Sequence, residues 1–319
     1  MNTTSTLPKV SVILPAYNEE KYIEQALNSI KNQNYDKNLV EILVVDNNSS
    51  DSTQSIAEKL STRVELLIDG PVGKVRNRGA HLAQGDILFF LDADCIAPPN
   101  WLSHAVENIS RNPKLVLGGG YELRSEPKTI EKYWLLDGPQ GHILPKDLLG
   151  GCIALTKDVF FSIGGFDEKV TSGEDSKLSQ NLKKAGYKVK IEREMSVIHL
   201  GNPTTAKAFL VRQIWHSENY LRNPKDTFND ITFILTLTFT FAIIALPITA
   251  ITNKPRLATL MTLIIFTLPL IFSLKRIMRS KNLKNLSKLH KIYFLDFLYL
   301  VGRSLGLSKS IIQLFKKTK

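Results

Sequence analysis

Apolar residues fall in short blocks along the first two thirds of the chain and in long ones near its end, and the two patterns predict different elements. VSVIL (10–14), EILVVD (41–46), VELLI (64–68) and DILFFLD (86–92) are β-rich runs bounded by polar or turn residues, which predicts strands. Between the first two, Glu19 to about Lys31 carries Tyr22, Ile23, Ala26, Leu27 and Ile30 at helical spacing. Further helices are predicted up to Leu60 and over about 74–84. Strands alternating with helices predict an α/β fold whose mostly parallel sheet has helices on both faces. Runs such as ILVV and ILFFL fit strands buried on both sides. Further on, KLVLGGGY (114–121), GCIALT (151–156), YKVKI and SVIHL read as strands. SGEDSKLSQNLKKAG (172–186) reads as a helix from near Glu174 to Gly186, and 122–148 as loop.

The long blocks come after residue 230. Ile231 to Thr252 is 22 residues without a charge and Leu257 to Leu274 is 18 more, each about long enough to cross a bilayer as a helix. Residues 275–291 then hold seven Lys or Arg and no acid, a bias expected on the cytosolic side. The chain is therefore expected to divide into a cytosolic domain, 1–225, and a membrane region, 226–319. That region would comprise spans at about 231–252 and 257–274, the basic segment 275–291, and an interfacial amphipathic helix over 292–315. Asp296 and Arg303 argue against a third span there.

Charge sharpens this division. The net charge is +11, and from Lys254 onward there are fourteen Lys or Arg against one acid, Asp296. The other 27 basic and 29 acidic residues lie in the first 253 positions, which are close to neutral. A basic excess that flanks apolar segments points to a membrane surface and not to nucleic acid. Cys95 and Cys152 sit among apolar or small residues and read as reduced thiols. MNTTSTLPKV lacks the pattern of a signal peptide, so the first domain is expected in the cytosol.

In a parallel sheet ligands bind beyond the carboxyl ends of the strands. Tyr17/Asn18, Asp46 and Asp92/Asp94 end the first, second and fourth strands, so they are expected at one edge. FFLDADC (89–95) is the most informative of these ends, because Asp92 and Asp94 repel and neither is cheap to desolvate. A hard cation shared with a diphosphate would offset that repulsion; a turn and helix cap before Pro98 is the alternative.

Four stretches, in order, carry a resemblance to the family 2 glycosyltransferases of the GT-A fold, a Rossmann-like architecture: SVILPAYNEEKYIEQALNSI (11–30), VVDNNSSDST (44–53), VRNRGAHLAQGDILFFLDADC (75–95) and GGFDE…GED (164–175). The resemblance covers roughly residues 9–220. It implies transfer of a sugar from a nucleotide diphosphate-sugar to a hydroxyl, with inversion and with Mg2+ or Mn2+. It places Pro15, Tyr17 and Glu19 against the nucleoside, Asp46 on the base, and Arg76 on base or phosphate. Asp92 would hold the ribose or the metal; Asp94 and His199 would bind the metal; Asp175 would be the general base. Gly151, Glu174 and Trp215 would line the acceptor side. Each has a plainer local reading: Asp46 as a helix cap, Arg76 on a solvated face, Glu174 and Asp175 complementing a helix N-terminus, His199 as a satisfied core histidine and Trp215 as core or a membrane-interface anchor.

Processive relatives carry Gln-x-x-Arg-Trp, whereas here Gln213 is followed by Ile214, Trp215 and His216. One sugar per acceptor is the expectation. A membrane-anchored hexosyltransferase at the cytoplasmic membrane follows, acting on a lipid-linked or glycan acceptor in polysaccharide or glycolipid synthesis. A polyprenyl-phosphate sugar synthase and a non-catalytic scaffold of the same fold are the alternatives.

Overall fold

The computed structural model describes residues 7–60, 63–138, 141–218 and 230–317. In chain order the elements are β1 (Val10–Ala16), α1 (Ile23–Lys31), β2 (Val40–Asp46), α2 (Thr53–Lys59), β3 (Arg63–Leu66), α3 (Val72–Leu82), β4 (Ile87–Leu91), β5 (Cys95–Ile96), α4 (Trp101–Arg111), β6 (Leu115–Gly118), β7 (Tyr121–Glu122), α5 (Thr129–Leu135), β8 (Cys152–Thr156), α6 (Lys157–Ser162), α7 (Glu174–Lys184), β9 (Lys188–Ile191), β10 (Val197–His199) and α8 (Ala206–Ser217). Three C-terminal helices follow, Ile231–Ile251, Pro255–Ser280 and Leu289–Lys317.

The described chain forms two compact units, Met1–Arg124 with Leu144–Gly201, and Ser125–Ile143 with Asn202–Lys319. The first holds a seven-stranded sheet of order β3-β2-β1-β4-β8-β6-β9. β1 to β4 run parallel, as the alternating pattern predicts; β8 enters antiparallel between β4 and β6. Successive side chains of β1 alternate between two cores. Val12 and Leu14 pack with Ile23, Leu27 and Trp101 of α1 and α4; Ile13 packs with Val75, Phe160 and Leu178 of α3, α6 and α7. Burial on both faces is why the strands read as unbroken apolar runs, and each fully buried Leu or Phe contributes ~1.5–3 kcal/mol.

Because β1, β2 and β4 are parallel neighbours, Ala16, Asp46 and Leu91 end at one edge. The antiparallel β8 begins at that edge, with Cys152 opposite Leu91, and so delivers Gly150 and Gly151 there. Asn18 and Asn48 take left-handed backbone (φ 56 and 64), which Asn tolerates better than most residues. They lie in the loops after β1 and β2, which are tied together: the Asn18 N–H donates to Ser49 Oγ (2.9 Å) and the Ser50 N–H to Asn18 Oδ1 (2.8 Å). A second sheet, β5-β10-β7, pairs His199 with Cys95 in antiparallel register.

In the second unit, Ile231–Ile251 and Pro255–Ser280 are each long and apolar enough to cross a membrane. Phe241, Ile244, Ile248, Leu263, Phe266 and Ile271 are all more than half exposed. Threonines within these helices satisfy their hydroxyls internally: Thr236, Thr240 and Thr267 donate to the carbonyl four residues back. The helices differ from the expected spans in their ends: the first stops one residue early, and the second runs six residues past Leu274 and takes in Lys275, Arg276 and Arg279. The rest of the expected basic segment contains a 3-10 turn, Leu283–Lys288, and the last helix starts at Leu289.

One expectation is corrected here. Residues 122–148 are not all loop, since Thr129–Leu135 is helical. The single cut at 225 lies outside the described residues, and the grouping changes instead at 201/202, with Ser125–Ile143 joined to the C-terminal helices. Arg276 supplies the reason. It donates to the Tyr133 and Trp134 carbonyls, lies over the Trp134 ring (4.4 Å), and pairs with Asp296 (2.7 Å), which also accepts from Ser273 (2.8 Å). Asp296 is thus buried and paired within the unit.

Candidate active site

The polar strand ends meet around one buried guanidinium. Arg76, from α3, is 3% exposed and donates from Nη2 to Asp92 Oδ1 and from Nη1 to Glu174 Oε1, both at 2.6 Å. Burial works against its charge, but the two carboxylates outweigh it and hold its pKa above the ordinary value. Its fork serves two acids and is buried, so Arg76 does not lie on a solvated face. The neighbouring Asn77 holds the GGFDE turn. It donates to the Phe166 carbonyl (3.0 Å) and Glu168 (2.8 Å) and accepts from the Phe166 N–H (2.9 Å). Gly79 completes the Arg-Asn-x-Gly run, for a Cβ there would stand 2.4 Å from Ile13, so α3 could not lie on the sheet.

Asp92 and Asp94 part company. Cys95 N–H donates to the Asp92 carbonyl (2.9 Å), forming a turn just after β4. Asp92 faces Arg76 and the Tyr121 hydroxyl (3.4 Å), whereas Asp94 faces His199, whose Nε2 is 3.5 Å from Oδ2. Ligand atoms of Asp94, Cys95 and His199 lie within 4.8 Å of one another. Asp92 stands outside this group. The β5–β10 register is what brings His199 here. Burial, with the Asp94 charge, pushes the Cys95 thiol well above its usual range, so it stays protonated and donates to Asp94 Oδ1 (3.6 Å). A carboxylate oxygen and an imidazole nitrogen remain as ligands, a set that suits a divalent ion. The Gly201 backbone closes over them; a Cβ there would lie 1.9 Å from Asp94 Oδ2.

Asp175 lies in the first turn of α7, after Gly173 in left-handed conformation (φ 84). Its carboxylate accepts from the Gly150 N–H (3.2 Å) and the Ser176 N–H (2.7 Å). Burial and the adjacent Glu174 charge raise its pKa to about 6, against the pull of Arg76. Gly150 and Gly151 approach the site's own acids and guanidinium. A Cβ on Gly150 would be 2.5 Å from Arg76 Nη2, and one on Gly151 2.6 Å from Asp92 Oδ2. Gly151→Ala is therefore expected to displace Asp92, lower turnover on the order of 10²-fold and lower the thermal midpoint, because the bridge to buried Arg76 is disturbed. Parallel kinetics and melts of the purified variant check this.

The remaining expected residues occupy the same edge, with two exceptions. Asp46 is 1% exposed; Oδ1 accepts from the Ser49 N–H (2.7 Å), while Oδ2 is buried and meets no hydrogen-bond donor. Asp46 therefore braces the loop after β2 and does not cap α2, which starts at Thr53, and one of its oxygens remains a free acceptor. Tyr17 is 60% exposed beside it, and the Glu19 N–H donates to Thr53 Oγ1 (2.7 Å). Pro15 is buried inside β1 opposite Val45 and presents no polar side-chain group. Trp215 belongs to α8 in the second unit and is 43% exposed. Sequence reasoning missed Tyr121 and Gly201, which carry no local signal.

A family model described as glycosyl transferase family 2 matches residues 11–157. Among curated relatives, the glycosyltransferase AglE of Haloferax volcanii is 34% identical over 214 residues, 63% of this chain and 69% of its own. The chain belongs to glycosyl transferase family 2. This glycosyltransferase is also 28% identical over 205 residues to the probable glycosyltransferase YdaM of Bacillus subtilis, covering 58% of the chain and 49%, about half, of that relative. The mannosyltransferase PcManGT from Pyrobaculum calidifontis, solved in complex with GDP-Man and Mn2+, superposes with a TM-score of 0.62. The superposition covers 97% of the glycosyltransferase and 88% of that chain at 19% identity, a likeness of fold. The architecture is thus GT-A, with two C-terminal helices apolar enough to span a membrane.

Proposed function

We propose that this glycosyltransferase moves one hexosyl unit, with inversion, from a nucleotide diphosphate-sugar to a hydroxyl of a membrane-held glycan acceptor. The observation that carries the reading is Asp175: a carboxylate fixed by two backbone N–H groups, with a pKa near 6, framed by the Arg76 bridge to Asp92. A base tuned there is ionised at neutral pH yet still proton-accepting. The acceptor oxygen attacks the anomeric carbon, its proton passes to Asp175, and the bond from that carbon to the diphosphate oxygen breaks. The nucleoside diphosphate leaves on the opposite face.

Asp46 Oδ2 is suited to accept from the base, with Tyr17 packing alongside. Asp94 and His199 would hold a divalent ion, which supplies charge stabilisation to the departing diphosphate. The imidazole is matched better to Mn2+ than to the harder Mg2+, and PcManGT was solved with Mn2+. The apolar helices and the basic residues that follow support a cytoplasmic-membrane enzyme whose catalytic unit faces the cytosol and whose acceptor is lipid-linked.

Calorimetry of UDP, GDP and dTDP with detergent-purified protein, with and without Mn2+, tests the donor half. One nucleotide is expected to bind in a metal-dependent way, and Asp94→Asn is expected to weaken it at least about tenfold, about 1.4 kcal/mol. Folded protein that binds none of them would sink the reading. Full activity of Asp175→Asn on a polyprenyl phosphate would instead identify a sugar-phosphate synthase, because a phosphate acceptor needs no base.

A further inference from the structure

A second cluster with metal-ligand chemistry lies in the catalytic unit, on residues the reaction does not use. His104 sits in α4, Glu192 follows β9, and Glu194 lies in the 3-10 turn Arg193–Met195. Their ligand atoms lie within 4.8 Å of one another. They come from two braced elements, His104 from α4 and the two acids from the 3-10 turn and its first flanking residue. The Trp101 Nε1–H of α4 donates to the Met195 carbonyl (3.0 Å) and pins the turn against the helix. The Glu192 N–H donates to the Gly118 carbonyl (2.9 Å), so the sheet holds its backbone.

The polar atoms are left unsatisfied in a telling way. His104 Nε2 and Glu192 Oε2 are 3.6 Å apart, too far for a hydrogen bond. His104 Nε2 and Glu192 Oε1 are both shielded from solvent, and neither has a hydrogen-bond partner. Side chains held this way around a gap ask for something between them. Lys190 Nζ touches Glu192 Oε2 (3.0 Å), but that lysine side chain is 52% exposed and free to swing away. We infer that His104, Glu192 and Glu194 form a second divalent-cation site of zinc type, distinct from the Asp94–His199 pair. One imidazole and two carboxylates suit Zn2+ better than Mg2+, and ligands about 2.0–2.2 Å from zinc stand roughly 3.3–3.5 Å apart, so a small side-chain adjustment closes the site. An ion there staples α4 to the turn that leads into β10, the strand carrying His199.

The test is zinc stoichiometry of the full chain, stripped with chelator and then dialysed against buffered Zn2+. His104→Ala and Glu194→Gln are each expected to lose one equivalent, or to bind it at least about tenfold more weakly, and Asp94→Asn to keep it. Lys190→Met is expected to tighten it by removing the competing ammonium. Zinc is expected to raise the thermal midpoint of Asp94→Asn but not of Asp94→Asn with His104→Ala; metal-free melts show that each variant is folded. Wild-type stoichiometry retained in both His104→Ala and Glu194→Gln would overturn the inference, leaving His104 and Glu192 as neighbours without an ion between them. Failure of Asp94→Asn to bind any zinc would overturn it equally, and neither result bears on nucleotide binding.

Discussion

Asp175→Asn is expected to cut turnover by roughly 10²–10⁴-fold while nucleotide binding is kept. Asn preserves shape and one acceptor oxygen, so one of the two backbone N–H groups from Gly150 and Ser176 still finds its partner. What is lost is the ability to take a proton. The wild-type enzyme should show the corresponding pH limb. Partial burial, then Glu174, raise this carboxyl to about 6, so it is protonated and inactive below that value and ionised above it. Turnover is expected to rise about tenfold per pH unit on the acid side, bend near 6 and level off above 7. The rate–pH profile of the wild type, and its absence in the residual activity of the variant, are the measurements.

Arg76→Met is expected to destabilise the catalytic unit by ~3–5 kcal/mol and to abolish activity, because it leaves Asp92 and the buried Glu174 facing each other without their cation. Lysine should recover only part of the loss, since a single ammonium cannot reproduce a fork that bonds both acids at 2.6 Å. Thermal or denaturant unfolding in detergent reads the stability, and a nucleotide-release assay the rate. A midpoint for Arg76→Met close to wild type would mean that the two acids do not depend on this guanidinium.

Much of this fold is legible in the chain because burial on both faces writes itself as unbroken apolar runs. β1, β2 and β4 are found where those runs lie, and the polar residues that end them do share an edge. The antiparallel course of β8 is not legible, for alternation and apolarity say nothing about pairing direction. Nor is α5, whose seven residues are too few to show a period and whose partner Arg276 is more than a hundred residues away. At the site, acids can be picked out one by one, but their division of labour cannot. Asp92 and Asp94 look equivalent in sequence. A turn sends one to Arg76, 16 positions back, and the other to a histidine delivered by β10. Arg76 reads as a cation on a solvated face until its second partner, Glu174, is found 98 positions downstream.

The membership of Ser125–Ile143 in the C-terminal unit also sets an order of events during synthesis. Tyr133 and Trp134 leave the ribosome long before Arg276 and Tyr299, the residues they finally pack on. Strands from both sides of this excursion, β6 before it and β8 and β9 after it, can pair meanwhile, closing the sheet while the excursion waits as an unpaid loop. A fragment ending at Gly201 would keep it waiting indefinitely, with the Trp134 ring and the α5 carbonyls deprived of their partners. Expression of the catalytic unit alone is therefore expected to go better when residues 125–143 are replaced by a short polar linker than when the chain is simply cut.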